Sequence, residues 1–209
     1  MGYAAQTFAI NIQQVKDVFG SNDEILYKQV KQSSMYEVYA EQDEDGLFEQ
    51  CLKDIIFNYV KPANRKVSRN YFGLFTSNSG SGLKYKGHVY GYNLIAICDV
   101  LGTFLTEEEG DIFYTGDDFD EANHWLKNKG FTITMERFWN TEDIFDIPKI
   151  DDFPVISSFN KTEIAYLHHE LTKLNLADTE VEQKELLIYF RDKLKVCIDK
   201  NTEWLSFTH

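Results

Sequence analysis

Residues able to do acid–base, nucleophilic or metal chemistry are few in this chain, and their spacing decides what each can do. The histidines are His88, His124, His168, His169 and His209. His168 and His169 are neighbours on a predicted helix, so their side chains diverge by about 100° and cannot face one ion. Neither forms an HExxH pair with Glu163 or Glu170, and no second ligand pair is visible. No metal site and no cofactor is therefore expected; one of the two imidazoles packs at a helix boundary and the other faces water. Cys51, Cys98 and Cys197 form no CxxC pair, and each lies inside an apolar helical pattern, which predicts reduced thiols acting as small hydrophobes.

The stretch Asn78-Ser79-Gly80-Ser81-Gly82 lacks the spacing of a nucleophile elbow and has no apolar strand before it. It also fails as a phosphate-binding loop, because Gly82 is followed by Leu83-Lys84-Tyr85 with no hydroxyl after the lysine. Asp151-Asp152 stands ahead of Phe153-Pro154, where an aspartate fixes a turn. No catalytic residue is assigned on these grounds.

The elements that would hold such residues are readable from periodicity. Residues 3–10 read as an opening strand, and Asn11 can cap a short helix that Gly20 stops. Ser21-Asn22-Asp23-Glu24 has capping-box spacing ahead of a helix turning Ile25, Leu26 and Val30 to the core. Residues 43–59 repeat Leu47, Phe48, Cys51, Leu52, Ile55, Ile56 and Tyr59 at helical spacing, and Pro62 ends the run. Residues 68–87 read as a surface loop. A buried helix is predicted over 90–105, a shorter one over 117–129 stopped by Gly130, then a strand over 131–138. An acidic connection over 141–159 leads to a helix capped by Asn160 or Thr162 that holds Ile164, Leu167, Leu171 and Leu174. A long helix over 179–199 and a terminal strand Trp204-Leu205-Ser206-Phe207 complete the chain. That strand is expected beside 3–10, holding His209 in place. The expectation is a single α+β domain over residues 1–209, mostly helical, with a small sheet that includes the N-terminal and C-terminal strands.

Composition and charge exclude several function classes. The 209 residues are 43% hydrophobic and 15% aromatic with 3 Pro, enough to bury a core and unlike a disordered chain. The net charge of −13 repels nucleic acid and anionic membrane surfaces. No apolar run reaches the roughly 20 residues that a membrane span requires. The first residues carry neither a basic region nor an apolar segment, so a cytoplasmic protein is expected.

The charge is unevenly distributed. Residues 106–152 hold 14 acids against 4 bases, among them Glu107, Glu108, Glu109, Asp111, Asp117, Asp118, Asp120 and Glu121. Between Ile55 and Cys98 there is no acid, but Lys61, Arg65, Lys66, Arg69, Lys84 and Lys86 are interleaved with Tyr and Phe. The two regions either are solvated faces that neutralise each other, or an acidic interface for a basic protein, or a basic aromatic segment that takes an anion.

Across nearly the whole chain the layout resembles an uncharacterised bacterial family, a domain of unknown function. The resemblance rests on the opening strand and helix running into Gly20-Ser21-Asn22-Asp23-Glu24, and on Leu94-Ile95-Ala96-Ile97-Cys98 leading to Leu101-Gly102. Asp152-Phe153-Pro154-Val155-Ile156 ahead of a helix and the closing Leu205-Ser206-Phe207-Thr208-His209 complete it. It brings no activity and no catalytic residue. Small acidic bacterial proteins of this sort look like immunity proteins, which bind and mask a basic toxin. The expected function is thus a cytosolic immunity- or antitoxin-type protein that masks a basic partner through Glu107–Glu109, Asp111, Asp117, Asp118, Asp120 and Glu121. One alternative is a small-ligand binder or hydrolase taking an anion at Arg65, Lys66, Arg69, Lys84 and Lys86. Another is a structural homo-oligomer.

Overall fold

A computed structural model describes residues 4–43, 45–59, 68–69, 75–76, 85–106, 117–140, 142–176 and 179–209. In chain order the elements are β1 (Ala5–Ile10), α1 (Ile12–Val18), α2 (Glu24–Val30), α3 (Ser34–Ala40) and α4 (Leu47–Lys53), which runs into a π-helical turn, Asp54–Asn58. The short strands β2 (Ser68–Arg69) and β3 (Phe75–Thr76) follow, then α5 (Gly87–Leu101), β4 (Thr103–Phe104) and α6 (Asp117–Asn128). A 3-10 helix, Met135–Trp139, precedes β5 (Val155–Phe159), α7 (Lys161–Lys173), α8 (Val181–Lys200) and β6 (Glu203–Thr208). The fold class is α+β, and both terminal strands lie in one sheet. The backbone divides into two compact units, one drawn from Met1–Ile12, Gly102–Ile144 and Phe153–His209, the other from Gln13–Leu101 and Phe145–Asp152.

The first unit is built on a sheet of order β4-β1-β6-β5, antiparallel throughout. β1 and β6 pair along their full length, Ala5 opposite Thr208 through Ile10 opposite Glu203. Because side chains alternate along a strand, Ala5 and Ala9, with Phe159 and Trp204, face a core completed by α6, α7 and α8. Phe138 sits at its centre, with ring centroids 5.7 Å from Phe159 and Trp204, 6.1 Å from Phe190 and 6.3 Å from Phe119. Polar side chains on the same rows find partners: Ser157 and Ser206 hydroxyls lie 2.7 Å apart, and the Thr208 hydroxyl donates to the Phe138 carbonyl at 2.9 Å. His209 is held as expected, exchanging main-chain hydrogen bonds with Ala4 at 2.8 and 2.9 Å.

Two segments differ from the sequence expectation. Residues 131–138 form turns and the 3-10 helix rather than a strand; Asn123 Oδ1 accepts from the Glu136 N–H at 2.9 Å, so α6 supplies the partner a neighbouring strand would have given. The connection predicted over 141–159 ends in β5, whose Ser157 and Ser158 dilute the apolar alternation that marks a strand. Asn160 is the cap of α7, in a full capping box with Glu163.

In the second unit α5 is packed by α2, α3 and α4, and Tyr90 and Leu94 to Cys98 along it are fully buried. It ends at Leu101 and the chain enters β4, shorter than the helix expected over 90–105. Gly102 and the β-branched Thr103 explain the break. The cap of α2 is Asp23, whose carboxylate accepts from the Ile25 and Leu26 N–H groups at 2.9 Å, while Ser21 accepts from Asp23. Ile25 is 71% exposed, so only Leu26 and Val30 of the expected trio reach the core. The end of the α4 run leaves carbonyls without helical partners. Those of Ile55 and Ile56 accept from Gly20 and Asn22, which hold positive φ of 71° and 59°.

Candidate functional site

The acidic segment becomes a helix because Phe119, Ala122, Asn123 and Leu126 recur on one face and are buried. Asp117, Asp120 and Glu121 fall in its first turns, where carboxylates oppose the positive end of the helix dipole, and the backbone of Asp118 lies among them, its side chain outside what the structure describes. Lys127 lies in the last turn, and Gly130, at φ +89°, ends the run. Asp117, Asp120 and Glu121 are exposed. Among the described residues neither Asp117 nor Asp120 has a cationic partner within ion-pair distance.

The start of α8 lies against this turn. Gln183, buried, donates from Nε2 to Glu121 Oε2 at 2.5 Å. Glu180 and Glu185 are exposed on either side of Gln183 in sequence. Glu121 and Gln183, 62 positions apart in sequence, thus join α6 to the start of α8, where Glu180, Lys184 and Glu185 are exposed. The sequence analysis, confined to a contiguous acidic window, missed Glu180 and Glu185. Only the tertiary contact of Gln183 with Glu121 draws attention to that stretch.

The remaining acids of the window are dispersed. Glu107, Glu108, Glu109 and Asp111 lie outside the described residues. Glu142 is committed to Arg137, whose Nη2 is 2.8 Å from its Oε1, and to Ser158. Asp146, Asp151 and Asp152 belong to the second unit, where Asp146 accepts from the Tyr59 hydroxyl. Of the basic set, Arg65, Lys66 and Lys84 lie outside the described residues. Arg69 pairs with Phe75 between β2 and β3, and Lys86 is exposed ahead of α5. Main-chain carbonyls of Pro148 and Lys149 press on Gly87 so closely that a Cβ there has no room.

The strongest electrostatic cluster was not anticipated, although Glu49 and Lys53 stand at the i,i+4 spacing of a helical ion pair. Glu49 Oε1 accepts from Tyr27 at 2.7 Å, Lys53 at 2.9 Å and Lys31 at 3.0 Å. The bond from Lys53, then those from Tyr27 and Lys31, hold its carboxyl down to about 2. Burial, with Glu49 alongside, pushes the Tyr27 phenol up. A general base works near its operating pH. Glu49 is far below it and saturated with donors, so it ties α2 to α4 and moves no proton.

Other reactive groups are quiet. All three cysteines are buried and free, and burial pushes the thiols of Cys51 and Cys98 upward and that of Cys197 to about 12. The thiolate is the nucleophile, so these are inert. Burial, then Lys195 and Arg191, hold the His168 imidazole below its usual range, while His169 is exposed. No grouping of His, Cys, Asp and Glu among the described residues could hold a metal ion. No described helix is long and apolar enough to cross a membrane. A groove of about 570 Å³ along α3 is lined by Lys31, Gln32, Ser33, Tyr36, Glu37 and Glu41 and is wide open to solvent.

Residues 1–208 match a family model described as a domain of unknown function, DUF7691, and the chain belongs to that family. No curated protein and no solved structure matches it.

Proposed function

We propose that this is a binding protein of immunity or antitoxin type, bacterial and cytoplasmic, that masks a basic partner protein with its acidic surface. The observation that carries the reading is the set of exposed carboxylates on α6 and at the start of α8, two helices joined by one side-chain bond. Asp117, Asp120 and Glu121 stand exposed on α6, and Glu121 holds the start of α8 through Gln183, with Glu180 exposed three positions before that residue and Glu185 two after it. Elsewhere in that unit Glu136, Glu142, Glu163 and Asp199 each have a cationic side chain within ion-pair distance, whereas Asp117 and Asp120 have none among the described residues. A field of one sign steers a partner of the opposite sign and orients its docking. The inert thiols and the over-stabilised Glu49 carboxylate also favour binding over turnover.

The test is affinity capture from the native host with the tagged full chain, at about 50 mM and about 300 mM salt. The variant Asp117→Asn, Asp120→Asn, Glu180→Gln, Glu185→Gln runs in parallel. A basic protein retained by the wild type at low salt, and lost both at high salt and from the variant, is the expected result. Equal retention by the variant at low salt overturns the assignment of the face.

A further inference from the structure

Sheet edges present unpaired main-chain groups that invite another chain. In the first unit one edge is short, since β4 covers β1 at Phe8 and Ala9 and the next residues continue along it. Leu105 N–H donates to the Thr7 carbonyl at 2.8 Å, and Thr7 N–H donates to Thr106 Oγ1 at 3.2 Å. The other edge is β5, which among the described residues pairs as a strand with β6 alone. Two of the four outward main-chain groups at Ile156 and Ser158 are taken by a single residue. Glu142 donates its N–H to the Ile156 carbonyl at 2.9 Å, and its Oε2 accepts from the Ser158 N–H at 3.1 Å and the Ser158 hydroxyl at 2.8 Å. A main-chain donor and a side-chain acceptor together imitate what a neighbouring strand residue would offer.

The imitation is held from behind. Arg137 grips Glu142 Oε1 with Nε at 2.9 Å and Nη2 at 2.8 Å, and reaches Glu163 Oε1 with Nη1 at 3.0 Å. The guanidinium carbon lies 5.7 Å from the centre of the Phe159 ring. Glu163 is itself fixed in the cap of α7, accepting from the Asn160 N–H at 2.9 Å.

We propose that Glu142 is a blocking contact that closes the β5 edge, and that the occupant it excludes is β5 of a second copy of this chain. The strand Val155-Ile156-Ser157-Ser158-Phe159 is self-complementary when paired antiparallel about a two-fold axis at Ser157. Ile156 of each copy then faces Ser158 of the other, and these are the residues whose main-chain groups point outward. Inside the strand there is no charge, proline or glycine, the devices by which edges are usually protected. The protection is supplied from outside it by Glu142. Each copy carries a net charge of −13, so pairing through this edge strengthens as salt rises. Docking of a basic partner on the exposed carboxylates weakens instead, so the two contacts are told apart by the sign of their salt dependence.

The experiment is sedimentation velocity of the full chain from low to high micromolar concentration, for the wild type, Glu142→Gln, Glu142→Ala, and Glu142→Ala combined with Ser158→Pro. The glutamine keeps one oxygen for the Ser158 N–H but turns its NH2 towards the Arg137 donors, so Glu142→Gln falls between the wild type and Glu142→Ala. Glu142→Ala self-associates, with an apparent Kd at least about tenfold tighter than the wild type and tighter again in high salt. Adding Ser158→Pro removes the outward N–H, and proline is tolerated on an edge; self-association returns to the wild-type level. A folded Glu142→Ala chain that sediments as the wild type at every concentration overturns the proposal, as does self-association that survives Ser158→Pro. If Glu142→Ala does not fold, hydrogen exchange in the wild type decides: slow exchange at the Ser158 amide is expected, and exchange at the rate of an unprotected amide refutes the block.

Discussion

Replacing Glu49 by Gln removes the charge on which Tyr27, Lys31 and Lys53 converge while keeping the shape of the side chain. The carboxyl ionises near pH 4.5 in the unfolded chain and at about 2 in the folded one. Full linkage of such a difference is worth about 3 kcal/mol. Glu49 keeps 35% of its side-chain surface exposed, however, and water screens exposed pairs to about 1 kcal/mol or less each. The expected loss is therefore about 1 kcal/mol at neutral pH. The sign follows from the depressed pKa: the stabilisation is complete above about pH 5, declines as the pH falls from 4.5 towards 2, and is gone below 2. Urea denaturation of the wild type and Glu49→Gln at pH 7 and pH 3, with m-values compared, reads both quantities. The gap between the two proteins should be about 1 kcal/mol at pH 7 and narrower at pH 3. A gap of zero at pH 7, or one that is unchanged at pH 3, refutes the role given to the charge.

Phe138→Ala should cost about 3–5 kcal/mol in denaturant melts, because four aromatic neighbours lose a common partner and the cavity cannot close around them; Phe138→Leu should cost clearly less. The thiols of Cys51, Cys98 and Cys197 should fail to react with an aromatic disulfide reagent in the native protein and react together on unfolding, since all are buried and protonated. Reaction at the rate of a free thiol under native conditions would contradict their assignment as core residues.

The elements that were legible in the sequence are those whose signals are local. Asn160 and Glu163 announce the start of α7, Gly20 and Gly130 mark where helices stop, and the apolar rhythm of Leu186, Leu187, Phe190, Leu194 and Cys197 announces α8. The terminal strand pairing was also readable, because an aromatic run such as Trp204 to Phe207 requires burial. What escaped depends on distant partners. Asn123 turns an apparently alternating 131–138 segment into a 3-10 helix, and β5 is a strand because β6 and Glu142 satisfy its two edges. Ile25 keeps a core residue's identity at an exposed place, since it lies about 100° round the helix from the buried Leu26 and about 140° from Val30. For the candidate site, the carboxylates of α6 could be read directly, but the bond from Glu121 to Gln183 that joins α6 to the start of α8 could not. Charge density along a sequence does not report which faces a fold brings together.

The central claim concerns the exposed carboxylates at the start of α6 and α8, and the most direct measurement is the association rate with the captured partner as a function of ionic strength. Stopped-flow mixing of the wild type should give a rate that falls steeply with added salt. The variant lacking charge at Asp117, Asp120, Glu180 and Glu185 should associate about tenfold more slowly at low salt, with a flatter salt dependence and little change in dissociation rate. An association rate and salt slope equal to those of the wild type would contradict the account.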